Sequence, residues 1–212
     1  MNAANVLNPS KPLSQFSEEL AKVPLYCHPG EQWKYGVAVD VQARLAEVVT
    51  GQPFEVIVHQ RVLDPLKMTD TSYFVSPEDK PRLAAVYNTA SEGVPRRVPN
   101  SEVYGFAPEK PIQINGGHGL VSSIDDYMLF ARMLQNDGTL DGVTVLKPET
   151  VALMSRDHLP DGLAERDFLP SKGQVGFGLD FAVRTAAPLN DDEPFGIVGE
   201  YFWDGAASPL FW

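Results

Sequence analysis

The first regular pattern along the chain begins at residue 14. Phe16, Leu20 and Val23 recur at helical spacing, Ser14 or Ser17 can cap the segment and Pro24 stops it, which predicts a short amphipathic helix. A stronger pattern follows over 37–51. Val37, Val41, Leu45 and Val48 share one helical face, Arg44 and Glu47 lie off it, and Gly51 is placed to end the helix. Pro53 stands at the first turn of a further helix over 54–63, which has too few polar positions for a solvent-facing helix and ends at Pro65. Over 76–114 the periodicity dissolves into prolines, glycines and scattered charges, and the segment reads as a long loop excursion. Helical spacing returns at Tyr127, Phe130, Met133 and Leu134, with Ser123 as cap, and again over 148–155, where Leu146, Val151 and Met154 are expected to face inward. After a loop over 157–174, residues 175–184 alternate glycine with bulky side chains like a closely packed strand, and 199–212 carries a second strand signal. The expected fold class is α+β: one domain over 1–212, with a flexible arm at 1–12, mainly helical between 13 and 156, and a small antiparallel sheet from Val175 onwards.

One turn stands out. Pro29 and Gly30 form strong turn chemistry, since proline presets one dihedral and glycine accepts a positive one. The turn delivers Tyr35 to the start of the helix over 37–51, where unpaired backbone donors and the positive dipole end would favour a phenolate. The same position also suits a half-buried packing tyrosine with one satisfied hydroxyl. Local pattern alone leaves both readings open.

Composition narrows the partners. With 43% hydrophobic and 21% charged residues, the 212 residues are ordinary globular material. The net charge of −11 disfavours nucleic acid and anionic membrane surfaces as partners. Cys27 is the only cysteine, so internal disulfides and cysteine-based metal clusters are excluded. The four histidines show no spacing with an acid that marks a metal helix, and neither a metal nor a cofactor is expected. The N-terminal residues lack a basic region followed by an apolar run, so the chain as written is expected to be soluble and cytoplasmic. A glycine run at 116–119 precedes the Ser123 helix but lacks a phosphate loop's lysine, and His118 within it reads as structural.

The segment from Pro29 through Trp33-Lys34-Tyr35-Gly36 to Val41, followed by Glu47-Val-Val-Thr-Gly-Gln-Pro-Phe54, resembles the second motif region of the serine β-lactamase and penicillin-binding superfamily. It is most similar to the esterase-like branch, the family VIII carboxylesterases. The stretch from Pro65 to Phe74 resembles that family's Pro-Leu-Gly-Met-x-Asp-Thr-x-Phe segment, and Trp203-Asp204-Gly205 resembles its third motif, written Trp-x-Gly in this branch. The resemblance implies a partial β-lactamase-like (transpeptidase-like) fold and a serine hydrolase that cleaves a small ester or amide through an acyl-enzyme. It implies that Tyr35 is the general base or proton relay beside the nucleophilic serine. Gly205 lets substrate approach the backbone, and the Ala206 amide is the oxyanion donor. Trp203, Asp204, Gly205 and Tyr104 are the candidate substrate contacts. Tyr104 and Phe106 could line a substrate pocket, but the more ordinary reading is that they only pin the long loop to the body, and 199–212 without the resemblance is an aromatic-rich edge strand.

The departures are as specific as the matches. No serine has a lysine three positions on, so the Ser-x-x-Lys nucleophile motif is absent, and no Gly-x-Ser-x-Gly elbow replaces it. Tyr35-Gly36-Val37 lacks the asparagine of the stricter Tyr-x-Asn form. Free phenols titrate near pH 10, and the family's motif lysines that lower this have no counterpart here. The chain is therefore expected to be a fragment, a truncated frame or a degenerate paralogue, and whether it is an enzyme on its own stays open. A noncatalytic binding or assembly module is the rival reading. The apolar segment 205–212 is expected to pair with a second copy or with a complementary segment.

Overall fold

The computed structural model describes residues 11–89, 94–99, 114–190, 196–205 and 210–211. The chain divides into two compact units, Met1–Val23 with Ala38–Met128 and Pro24–Val37 with Leu129–Trp212.

In the first unit, helix α1 spans Leu13–Leu20 and buries Leu13 and Phe16. Neither expected serine caps it. Pro12 takes the cap position with no side-chain bond, and Ser17 Oγ instead donates back to the Ser14 carbonyl at 2.8 Å. Helix α2 spans Ala38–Thr50 and ends as expected at Gly51, which takes φ 70 and donates its N–H to the Glu47 carbonyl at 2.8 Å. Its buried side chains are Asp40 and Ala43, whereas Val41, Leu45 and Val48 are exposed. A carboxylate can occupy the buried face because backbone donors meet it: Asp40 Oδ1 accepts the N–H groups of Gly116 at 2.9 Å and Gly117 at 3.2 Å. Only glycine fits at 116, since a Cβ there would lie 2.3 Å from the Val39 carbonyl oxygen.

The expected helix over 54–63 does not stop at Pro65. Helix α3, Phe54–Val58, widens into a π-helical turn, His59–Leu63, and continues as α4, Asp64–Leu66. Pro65 falls in the first turn of α4, where a missing N–H is tolerated. Burial is also narrower than expected, with Leu63 and Leu66 buried and the rest of this helical run more exposed. The run ends at Lys67 in a left-handed conformation, φ 58, at the position where the resembled segment has glycine. The following Asp70-Thr71-Ser72 bonds across the unit. Asp126 Oδ2 accepts the Asp70 N–H and the Thr71 hydroxyl, each at 2.8 Å, and Arg82 donates to both Asp70 oxygens at 2.9 and 2.6 Å. Within 76–114 the described residues hold a 3₁₀ turn, Lys80–Arg82, and an antiparallel hairpin of β1, Tyr87–Thr89, and β2, Pro95–Arg97. Helix α5, Ile124–Gln135, is capped as expected, with Ser123 Oγ accepting the Asp126 N–H at 3.2 Å.

In the second unit a small hairpin of β3, Thr139–Leu140, and β4, Val143–Thr144, leads to helix α6, Pro148–Met154. Each of the two expected strands is a hairpin. The first folds as β5, Val175–Phe177, and β6, Ala182–Arg184, and the second as β7, Tyr201–Asp204, and β8, Leu210–Phe211. The reversal between β5 and β6 uses Asp180 at φ 66, a conformation acidic and amide side chains tolerate better than most. Together they form an antiparallel sheet in the order β5-β6-β7-β8. The glycines of this sheet mark close packing, as expected: a Cβ at Gly178 would lie 2.1 Å from the Met154 carbonyl oxygen. Leu169, Val175, Ala182 and Phe202 form its core, with Trp33, Leu159, Phe177 and Trp203 packed against them.

Candidate active site

The site is built from the turn outward, within the second unit. Gly30 takes φ 90 and the Glu31 N–H closes the turn on the His28 carbonyl at 3.2 Å. The chain leaving the turn pairs with 165–167: the Trp33 N–H donates to the Glu165 carbonyl at 2.8 Å and the Asp167 N–H donates to the Trp33 carbonyl at 3.0 Å. This register places Tyr35 beside Phe168, with ring centroids 5.2 Å apart and planes at 64°. On the sheet side, the alternation of β7 buries Phe202 and turns Trp203 the other way. Tyr35 stacks on Trp203, centroids 5.7 Å apart and planes at 19°. Trp33 and Phe177 back the stack, at 6.4 and 5.4 Å from Trp203 and 4.8 Å from each other. Five rings from four segments thus form one cluster, with Trp33, Tyr35 and Phe177 against the Trp203 indole and Phe168 against Tyr35.

A cation completes the arrangement. Lys172, at the end of the 3₁₀ turn Leu169–Lys172, is buried, lies with Nζ 4.7 Å from the Trp203 ring centroid, and donates to Asp204 Oδ2 at 2.5 Å. Its ammonium is thereby matched by a carboxylate and an aromatic ring. Asp204, the unusual middle residue of Trp203-Asp204-Gly205, is held rather than free. Lys34 takes no part in this, with Nζ 3.9 Å from Glu165 and 5.3 Å from the Tyr26 ring centroid.

Of the residues singled out in the sequence, Tyr35 and Trp203 are in contact, Asp204 faces Lys172, and Gly205 follows β7 directly. Tyr104 and Ala206 lie outside the described residues. Phe168, Lys172, Trp33 and Phe177 were missed as site residues. Only Trp33 stood within a motif segment; the others sit in segments whose pattern is that of loop and strand. Tyr35 and Phe168 are 54% and 55% exposed, so the surface is an open aromatic shelf. A concavity of about 300 Å³ lies elsewhere in the unit, between Asp157, Asp161 and Arg166, and its lining includes none of these rings. Among the described residues no group of histidine, cysteine and acidic side chains could hold a metal ion. No helix among them is long and apolar enough to cross a membrane.

Known proteins share this framework. A family model described as Beta-lactamase matches residues 2–212. An uncharacterized protein of Mycobacterium tuberculosis is 38% identical over 192 residues, which is 88% of this chain and 47% of that protein. Lovastatin esterase of Penicillium rubens is 32% identical over 161 residues, 74% of this chain and 38% of the esterase. Among solved structures, EstCE1, described as a hydrolase with promiscuous acyltransferase activity, is 25% identical with a TM-score of 0.63, covering 86% of this chain and 50% of its own. The chain thus spans half or less of the length of these relatives. The match over nearly all residues and the α+β architecture agree, and the chain belongs to the β-lactamase family, with esterases and acyltransferases among its relatives.

Proposed function

We propose that residues 1–212 supply the tyrosine and the oxyanion strand of a serine hydrolase acting on a small ester or amide through an acyl-enzyme. The observation that carries this reading is the stack of Tyr35 on Trp203, which joins the second-motif tyrosine to the third-motif strand. The nucleophilic serine belongs to a Ser-x-x-Lys segment that these residues do not contain. In the reaction the serine oxygen adds to the substrate carbonyl carbon, Tyr35 relays the serine proton to the leaving alcohol or amine, and water then cleaves the acyl-serine bond. By the resemblance to the third motif, the Ala206 N–H takes the role of oxyanion donor, and Gly205 lets the substrate lie close to the strand. Trp203, Asp204 and Tyr104 contact the substrate, and no cofactor takes part.

The test pairs the chain with the Ser-x-x-Lys half of a family member by co-expression, then applies a fluorophosphonate probe. Covalent labelling of the partner's serine, lowered at least tenfold by Tyr35→Phe, is expected. A purified complex that binds substrate yet never labels overturns the reading.

The absence of any serine followed three positions on by lysine favours a second reading, a noncatalytic binding or assembly module. It requires ligand-induced thermal stabilisation of the chain alone without labelling. Either reading leaves β8 at the outer edge of the sheet order, where a second copy or a complementary segment can add a strand. Light scattering before and after deletion of 205–212 tests this, and a strictly monomeric full chain at micromolar concentration counts against it.

A further inference from the structure

We infer that Phe168 is a specificity-determining residue of the shelf, forming with Tyr35 an open corner that receives the uncharged aromatic ring of a ligand. The inference rests on reading the Tyr35–Trp203 surface as a substrate site. Phe168 takes φ 66 and ψ −30, a region that side-chain-bearing residues rarely occupy and bulky ones least. The backbone there is dictated from both sides. Asp167 is tied to Trp33 by its N–H, and Leu169, next along, is 1% exposed in the core. Glycine would follow this path without strain, so the path does not explain the phenylalanine.

Nor does burial, because the side chain is more than half exposed. What the strain maintains is a ring 5.2 Å from that of Tyr35 and inclined at 64° to it, a corner whose two side chains are each more than half exposed. Such a corner accepts a third flat ring face-on to one wall and edge-on to the other. The charge around it selects against anions. Lys34 Nζ lies 3.9 Å from Glu165 and the Lys172 ammonium is engaged by Asp204, so both nearby cations already face carboxylates, and Asp167 is exposed beside the corner. A neutral aryl group on the carbonyl or the leaving side of the substrate is the chemistry that fits.

The probe is acetophenone, a neutral aryl ketone that no hydrolase cleaves, compared with 2-hexanone and benzoate by saturation-transfer NMR titration of the full chain. Acetophenone is expected to bind more tightly than either comparator. Phe168→Gly is expected to weaken acetophenone about five- to tenfold while leaving Tm unchanged or raised, and Phe168→Tyr to retain binding. No saturable acetophenone binding, equal affinity in Phe168→Gly, or a lowered Tm with affinity unchanged would each overturn the inference. Because no bond is cleaved in this experiment, its failure is distinct from failure of the hydrolase reading, which the fluorophosphonate labelling decides.

Discussion

The two units stabilise their interiors in contrasting ways. In the first, buried carboxylates organise the backbone: Asp40 collects the N–H groups of Gly116 and Gly117, and Asp126 collects the Asp70 N–H and the Thr71 hydroxyl. In the second, rings do the equivalent work around Trp203 and the core of Leu169, Val175, Ala182 and Phe202. Directional bonds to backbone tolerate almost no substitution, since a lost acceptor strands donors in a dry interior. Ring contacts are less directional and extend outward to exposed faces, so the aromatic unit is the one that can offer a surface to a ligand.

Phe202→Ala tests the aromatic unit where it is deepest. The side chain is 7% exposed, and its loss is expected to cost about 3–5 kcal/mol in urea unfolding. Asp126→Ala should come next, at about 2–3 kcal/mol, because the Asp70 N–H loses its acceptor and the Thr71 hydroxyl keeps only Ser122. If Asp126→Asn retained full stability, the contrast between the units would be weakened, since an amide oxygen would then serve as well as a carboxylate.

Tyr35→Ala should cost only about 1 kcal/mol, the side chain being more than half exposed, yet change the near-ultraviolet dichroism of the tryptophans by removing the stack on Trp203. A large loss of stability with an unchanged spectrum would mark Tyr35 as a packing residue. Lys67→Gly should stabilise by about 0.5–1 kcal/mol, because glycine takes φ 58 without the strain lysine bears. The smallest effect concerns pH. Hydrogen bonds from Arg82 hold the Asp70 and Asp79 carboxyls below their usual range, so this contribution is present above the unfolded carboxylate range near pH 4 and fades as pH falls through the lowered values. Arg82→Ala should flatten that part of the stability profile in acid unfolding measurements.

The helices were legible from spacing, and Tyr35 and Trp203 from their motifs, because each signal is local. Which face of α2 is buried was not legible. Val41, Leu45 and Val48 carry the periodic signal, but Asp40 occupies the interior because its partners are glycine amides far along the chain. The continuation past Pro65 was hidden for another reason: a π turn has no apolar signature, and it carries the proline into a position where its missing donor costs little. The strand signals marked the sheet but not its reversals, since Asp180 in a positive-φ turn looks like any other acid in the sequence. Lys172 and Phe168 belong to the same class as Asp40. Their meaning lies in partners, Asp204 and Tyr35, that no spacing rule connects to them.

The pairing of Trp33 with Glu165 and Asp167 has a consequence for synthesis. Pro24–Val37 leaves the ribosome before Leu129–Trp212 but belongs to the same unit. At the usual elongation rate of about 5–20 residues per second, Trp33 and Tyr35 wait on the order of ten seconds before their partners exist. During that interval the Pro29-Gly30 turn can form alone, but the rings it carries cannot be covered. Ribosome-bound chains arrested before residue 165 should therefore expose this segment to protease, and chains arrested after the sheet has emerged should protect it.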